Sequence, residues 1–336
     1  MTTIREVASR AGVSVATVSK YLNGVRVREK NALAIEEAVR ALGFRPNEIA
    51  RGLRTNRSMT VGVLLPELDN LFFTEIISNV DRVLEEAGYS TVVCVSRSDT
   101  EREERRLDFL RRKQIDGLIA VPTTSASRFV RSLGGLPTVL IDRVVTGAES
   151  ESCASVLTDN FEASRSAAEE LLRAGHRRIG LLTGPDSNYT PIERRAGFLA
   201  ACSARGLTPD PRYLKTGDYT AEAGRRMTAE LLSTDEPPTA LFATNNELTE
   251  GAVRALSESG LVPGKDISFV GFDSRVLAEA YRPKLTVVLQ PVEEIGRTAA
   301  HTLLRLIAGE DCGGIIRLPA SVFKGNSICQ ITEILL

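Results

Sequence analysis

The chain has 336 residues, 43% hydrophobic and 25% charged, with a formal net charge of −1; this composition belongs to a globular protein of two or three domains and excludes a disordered or fibrous chain. No apolar run approaches the ~20 residues of a membrane helix, and the opening M-T-T-I-R-E lacks a secretory core, so a cytoplasmic location without a membrane partner is expected. Cys94, Cys153, Cys202, Cys312 and Cys329 are scattered without a C-x-x-C pair, a pattern that suits buried thiols better than disulfides or a zinc site.

Charge is unevenly spread. Residues 1–60 hold eleven Lys or Arg against five Glu, a net of +6 that leaves −7 on the remainder, and a small basic head on an acidic body points to a head that meets a polyanion. In chain order, Ile4, Val7, Ala8 and Ala11 recur at helical spacing until Gly12 breaks the pattern. Ser14 then offers an N-cap for a second helix through V-A-T-V-S-K-Y-L-N, closed by Asn23 and Gly24. Val18, Tyr21 and Leu22 share its inward face; Ala16, Ser19, Lys20 and Asn23 face outward, and Val15 sits at the edge in the first turn. A third helix keeps Ile35, Ala38, Val39 and Leu42 inside and stops at Gly43 before Pro46. Two short helices joined through A-G-V-S, the second with small polar residues outward, form the arrangement that fits a helix into the DNA major groove. Residues 47–54, N-E-I-A-R-G-L-R, make a helix too short to be stable alone, and Gly52 costs it about 1 kcal/mol relative to Ala. That segment is expected to fold only with a partner.

From Thr60 onward, short β-branched runs alternate with helical stretches. T-V-G-V-L-L, S-T-V-V-C-V, G-L-I-A-V, T-V-L-I-D, I-G-L-L-T, A-L-F-A-T and I-S-F-V-G-F are strand-like, with amphipathic segments such as 72–88 and 101–113 between them. The rhythm predicts parallel sheets with helices on both faces and a ligand site beyond the carboxyl ends of the strands. The residues just beyond those ends are Asn70, Phe72, Phe73, Asp142, Arg143, Asn245, Asp273 and Gln290, with Arg194 on a helix start. Asn, Asp and Gln share hydrogen bonds with hydroxyls, Arg donates in a fork, and aromatic faces pack on sugar C–H surfaces, a toolkit for a neutral polyol. Taken singly, each of these polar groups is more often a cap or a loop satisfier. Only His176 and His301 supply imidazoles, and G-x-G-x-x-G, G-x-x-x-x-G-K-[ST] and G-x-S-x-G are all missing, so neither catalysis nor a cofactor is expected.

Residues 4–23, I-R-E-V-A-S-R-A-G-V-S-V-A-T-V-S-K-Y-L-N, resemble the DNA-binding signature of the LacI/GalR family of bacterial transcriptional repressors. The likeness continues through Asp159-Asn160, A-G-H-R-R-I-G, T-N-N-E, D-I-S-F-V-G-F-D and L-P-A-S-V-F-K-G-N-S, and so spans essentially the whole chain. It implies a small all-α helix-turn-helix head over 1–46, a hinge helix and linker over 47–59, and a two-lobed α/β core of the periplasmic-binding-protein kind. One lobe would take 60–158 plus 291–320 and the other 159–290 plus 321–336, with three crossovers near 158–161, 289–292 and 318–322. The resemblance further implies that Val15, Ala16 and Lys20 read base edges and that Thr3, Ser14, Thr17, Ser19 and Asn23 contact phosphates. Leu53, between Ala50 and Arg54, would wedge a central base step in the minor groove. The nine residues named above for the ligand site would form the effector pocket between the lobes, with Asp159 and Asn160 mainly structural.

The function implied is a homodimeric repressor of carbohydrate-use genes, acting in the nucleoid on a pseudo-palindromic operator whose affinity is changed by a sugar-like effector. A purine or nucleoside, or a protein coregulator, fits the same scaffold, and the two phenylalanines stack on a base as readily as on a sugar. A non-regulatory sugar-binding protein is the remote alternative. The final I-T-E-I-L-L carries no heptad extension, so a dimer is expected rather than a tetramer joined by a coiled coil. The chain departs from the family pattern at Lys20, Gly52, Leu71, Ile192 and Asn246, where Arg, Ser or Ala, Pro, Arg and Asp are common.

Overall fold

The structure, a computed structural model, describes residues 2–22, 25–44, 57–123, 126–144, 153–186, 189–273 and 275–331. It divides into two compact units, Met1–Met59 and Thr60–Leu336.

In the first unit, α1 (Ile4–Ala11), α2 (Val15–Leu22) and α3 (Glu29–Leu42) surround Val7, Val18 and Ile35, which have no exposed surface. α1 begins with a reciprocal cap: the Thr3 amide donates to Glu6 Oε2 at 2.7 Å and the Glu6 amide to Thr3 Oγ1 at 3.4 Å. It ends at Gly12, whose φ of 62° is the left-handed conformation that glycine adopts without strain. The inward faces expected for α2 and α3 are those observed, since Tyr21, Leu22, Val39 and Leu42 all pack on this core. The hinge expected over 47–54, with Ala50, Leu53 and Arg54, lies outside the described residues, as does Asn23.

The second unit holds two six-stranded sheets. Its first half runs β1 (Thr60–Leu65), α4 (Leu71–Glu86), β2 (Ser90–Val95), α5 (Thr100–Arg112), β3 (Gly117–Ala120), α6 (Ala126–Leu133), β4 (Thr138–Ile141) and β5 (Cys153–Thr158). Next come α7 (Asn160–Arg173), β6 (Ile179–Thr183), α8 (Tyr189–Ser203), β7 (Leu214–Thr216), α9 (Ala221–Leu232), β8 (Ala240–Ala243), α10 (Asn246–Glu258), β9 (Ser268–Phe272), α11 (Arg275–Ala280) and β10 (Thr286–Leu289). α12 (Val292–Ile307), β11 (Gly314–Leu318) and β12 (Ser321–Phe323) complete it. The first sheet is ordered β11-β5-β4-β3-β1-β2 and the second β12-β10-β9-β8-β6-β7. All pairings are parallel except β12 with β10. Strands covered on both faces need continuous apolar runs, which is why β3, β4, β6, β8 and β9 are buried along their whole length.

The chain passes between the sheets after β5, after β10 and after β11. α12 returns to pack on β3, β4 and β5, whereas β12 joins the second sheet. The crossings are stitched to one another: Thr158 Oγ1 donates to Gln290 Oε1 at 2.7 Å, and the Asp159 amide donates to the Leu318 carbonyl at 2.8 Å. α7 and α8 pack so closely that a Cβ at Gly197 would lie 2.1 Å from the Phe161 carbonyl oxygen. Among the described residues no helix is long and apolar enough to cross a membrane.

Candidate functional site

In the head, Ser14 starts α2: its Oγ accepts from the Thr17 amide at 3.2 Å and lies 2.8 Å from the Thr17 hydroxyl. With that cap set, Val18 turns fully inward while Val15 stays 42% exposed, beside exposed Ala16 and Lys20. Thr17 and Ser19 are half-buried at the flanks, and Thr3 is exposed at the start of α1. The outward face of α2 thus presents two small apolar side chains and one ammonium, next to a helix N-terminus that attracts anions. An exposed aliphatic pair beside a point charge suits thymine methyls together with a guanine edge or a phosphate.

In the body, the strand-end residues come together where the lobes face each other. Asn70 caps α4, its Oδ1 accepting from the Phe72 amide at 3.0 Å, and its Nδ2 reaches across to Glu247 Oε1 at 2.8 Å. Asn245 caps α10 through the Leu248 amide at 2.9 Å and donates to the other oxygen of Glu247. Asp142, at φ 53°, binds Arg143 at 3.0 Å on one side and receives the Thr190 hydroxyl from the opposite lobe at 3.0 Å on the other. Arg317 donates to the Tyr189 hydroxyl at 3.1 Å, a further link between the lobes. Arg194, 3% exposed, donates to Asn160 Oδ1 at 2.8 Å and to the Thr244 carbonyl, with its guanidinium 3.8 Å above the Phe272 ring. Gln290 donates to Asp273 Oδ2 at 2.8 Å.

Two carboxyls here bind their protons more strongly than ordinary Glu and Asp side chains do. Burial pushes the Glu247 carboxyl up to about 7, reinforced by the charges of Glu67, Glu250 and Asp273 against one backbone hydrogen bond. Burial also pushes Asp273 up to about 6, with the Arg194 charge and the Gln290 hydrogen bonds pulling the other way.

Beside this ring of polar contacts opens a cavity of about 720 Å³. Phe72, Asp273 and Gln290 line it, together with Leu71, Glu75, Asn246, Glu250, Arg275, Val276, Leu277, Ala280, Leu289, Val292 and Ser321. Phe73 is 7% exposed and stands edge-on behind Phe72, with ring centroids 5.2 Å apart. Asn70, Asp142, Arg143, Arg194 and Asn245 belong to the hydrogen-bonded ring rather than to the cavity wall.

Glu247, Thr190 and Tyr219 escaped the sequence reading. Glu247 has a visible signal, standing two residues after Asn245 in the first turn of α10, where a carboxylate favours the helix. The Tyr219 ring packs on Gly184, where a Cβ would come within 2.4 Å of it; its buried hydroxyl lies beside Thr244 without a hydrogen bond of ordinary geometry. His176 is buried away from the cleft, with Nδ1 3.0 Å from Thr239 Oγ1 and Nε2 2.7 Å from Ser268 Oγ. Its Nε2 also lies 3.1 Å from the Cys329 carbonyl, so it pins the last described stretch to the second sheet, and burial pushes its pKa down.

A three-helix unit with an exposed reading face, carried on the same chain as two lobes that meet through polar side chains, defines a ligand-responsive DNA-binding regulator. Residues 3–47 match the bacterial regulatory proteins of the lacI family, and residues 58–326 match the periplasmic binding proteins and sugar binding domain of the LacI family. The chain belongs to the LacI family and is a transcriptional regulator with an effector-binding core. It is 33% identical over 315 residues to the HTH-type transcriptional repressor PurR of Edwardsiella ictaluri, covering 92% of each chain. The Lac repressor dimer bound to operator and the anti-inducer ONPF superposes with a TM-score of 0.86 at 28% identity, covering 98% of this chain and 99% of that one. The transcriptional regulator CelR in complex with cellobiose gives a TM-score of 0.74 at 29% identity, over 97% of this chain and 100% of that one.

Proposed function

We propose that the chain acts as a homodimeric repressor that reads a two-fold symmetric operator with α2, and that a small hydroxylated effector between the lobes changes its grip. The observation that carries the reading is the division of α2: Val18 has no exposed surface, while Val15, Ala16 and Lys20 remain outside. In this reading Val15 and Ala16 meet thymine methyls, Lys20 meets a guanine edge, and Thr3, Ser14, Thr17, Ser19 and Asn23 hold phosphates. Leu53, flanked by Ala50 and Arg54, wedges the minor groove from the hinge. The lobes take 60–158 with 291–320 and 159–290 with 321–336, and the effector meets Asn70, Phe72, Phe73, Asp142, Arg143, Arg194, Asn245, Asp273 and Gln290.

The Lac repressor's operator-bound dimer and CelR's bound cellobiose support this assignment for a chain so similar to both. Asn70 with Glu247 and Asp142 with Thr190 are contacts that lobe movement must break or make. Coupling of this kind is worth about 1–3 kcal/mol, or ~5–150-fold in operator affinity. No step of the reading is catalytic, and its place is the bacterial cytoplasm. Selection from random duplexes tests it: a two-fold symmetric sequence should be enriched, and its affinity should change on addition of a mono- or disaccharide or a nucleoside. Equal binding to every duplex under all these additions would refute it.

A further inference from the structure

We propose that the interlobe cavity selects an uncharged, unphosphorylated hydroxylated ligand with a broad apolar body, a nucleoside or an aryl glycoside, and rejects the phosphate ester of the same molecule. The proposal rests on the effector reading above and narrows it by charge and shape. The cavity, about 720 Å³, falls in the upper part of the ~300–1,000 Å³ range that takes a drug-sized ligand. Its walls are largely aliphatic and aromatic through Leu71, Phe72, Val276, Leu277, Leu289 and Val292. Leu71 and Val276 are 63% and 79% exposed, apolar surface that a ligand body can cover.

Electrostatics set the charge of the occupant. α4, α10 and α12 begin at the cavity, at Leu71, Asn246 and Val292. Each N-terminus carries about half a positive charge, and such a convergence by itself favours an anion. Carboxylates already answer it: Glu75, Glu250 and Asp273 stand in the wall, and Glu293 and Glu294 occupy the first turn of α12. The one cationic wall residue among those described, Arg275, is paired with Glu279 at 2.9 Å. The guanidiniums of the neighbouring ring are committed as well. Arg143 is held by Asp142 at 3.0 Å, and Arg194 by Asn160, the Thr244 carbonyl and the Phe272 face. Tight recognition of a phosphate calls for uncommitted guanidinium or ammonium donors, whereas a phosphate here would lie against carboxylates. Hydroxyls and amides meet no such conflict, because Asp273 accepts and the Gln290 and Asn246 amides both accept and donate.

Calorimetric titration of the full-length protein provides the test. The probes are adenosine, cytidine and p-nitrophenyl glucoside, the phosphate ester of each, and inorganic phosphate alone. At least one uncharged probe should bind, with its phosphate ester about 100-fold weaker or worse, since juxtaposed like charges carry a heavy penalty. A phosphate ester that binds as tightly as its parent, or measurable binding of inorganic phosphate, overturns the charge selection. Failure of every uncharged probe overturns the ligand class. Phe72→Ala should weaken the bound probe about tenfold, in keeping with loss of an aromatic contact; full affinity in that variant removes the ligand from this cavity. Operator binding by the same preparation is read separately, so protein that selects its duplex normally but prefers a phosphate ester refutes this proposal and leaves the regulator intact.

Discussion

In the head, the side chains proposed to meet DNA are the ones the fold leaves out: with Val18 and Ile35 fully inside, Val15, Ala16 and Lys20 remain on the surface. In the core, the residues proposed to meet the effector are drawn in. Arg194 is 3% exposed, Asn245 8% and Gln290 9%, and each already holds hydrogen-bond partners. A residue of the first kind can change without disturbing the scaffold, because nothing rests on it. A residue of the second kind carries structure and ligand together, so its substitution acts on both.

The largest expected effect breaks one unit and spares the other. Ile35→Ala empties the centre of a core built on Val7, Ala8, Val18, Ile35 and Ala38, at a cost of about 2–5 kcal/mol. Calorimetry should show the head transition lost, operator binding abolished and the transition of the core unmoved; a shift of both transitions would end the description as separate units. Arg194→Ala should follow in size. It removes charge-assisted hydrogen bonds worth about 1.5–3 kcal/mol each, lowering the melting temperature of the core by several degrees and abolishing the ligand response while operator affinity without ligand holds. An unchanged ligand response would move the effector away from this ring.

Lys20→Ala should leave the melting temperature alone and reduce discrimination between operator variants by about 1–3 kcal/mol. Equal losses on specific and random duplexes would make Lys20 a phosphate contact instead. The smallest effect concerns pH. Because the Glu247 carboxyl is raised from 4.5 to about 7, its contribution to core stability is complete below the ordinary value and is lost as pH climbs through about 7. The melting temperature of the native core should therefore fall between pH 5 and pH 8, by about 2–4 °C for each ~1 kcal/mol, whereas Glu247→Gln should flatten that fall and lower the value at pH 5, because its Nε2 cannot accept from Asn70 or Asn245 as a carboxyl oxygen does. Asp273, raised to about 6, leaves part of the dependence in place.

Much of the architecture was legible from residue pattern. The three amphipathic faces of the head give α1, α2 and α3, and β1, β3, β4, β6, β8 and β9 stand out because strands buried in parallel sheets are apolar runs, while β2, a sheet edge with one buried residue, shows through its β-branched S-T-V-V-C-V. β5 did not stand out, since C-A-S-V-L-T mixes small and hydroxylated residues, although every one of them is buried. β11 and β12 run along sheet edges, half exposed over five and three residues, too short for a period to show. In the candidate site, Asn70, Asp142, Asp273 and Gln290 could be found as strand ends. Their partners could not. Asn70 and Glu247 are 177 positions apart and meet only because the chain crosses between the lobes, and Tyr219 follows a three-residue β7 that leaves almost no trace in composition.

The missing side chain at Gly197 reaches further than the helix pair it permits. It sits one turn beyond Arg194 on α8 and presses on the Phe161 carbonyl, next to the Asn160 amide group that anchors the guanidinium. Even a methyl group there would pry the two helices apart and lift the arginine from its anchor, detuning the sensor from a position that no effector touches. Variation at such tight helix contacts therefore offers a route to altered sensitivity in which every ligand-facing and every DNA-facing residue stays the same.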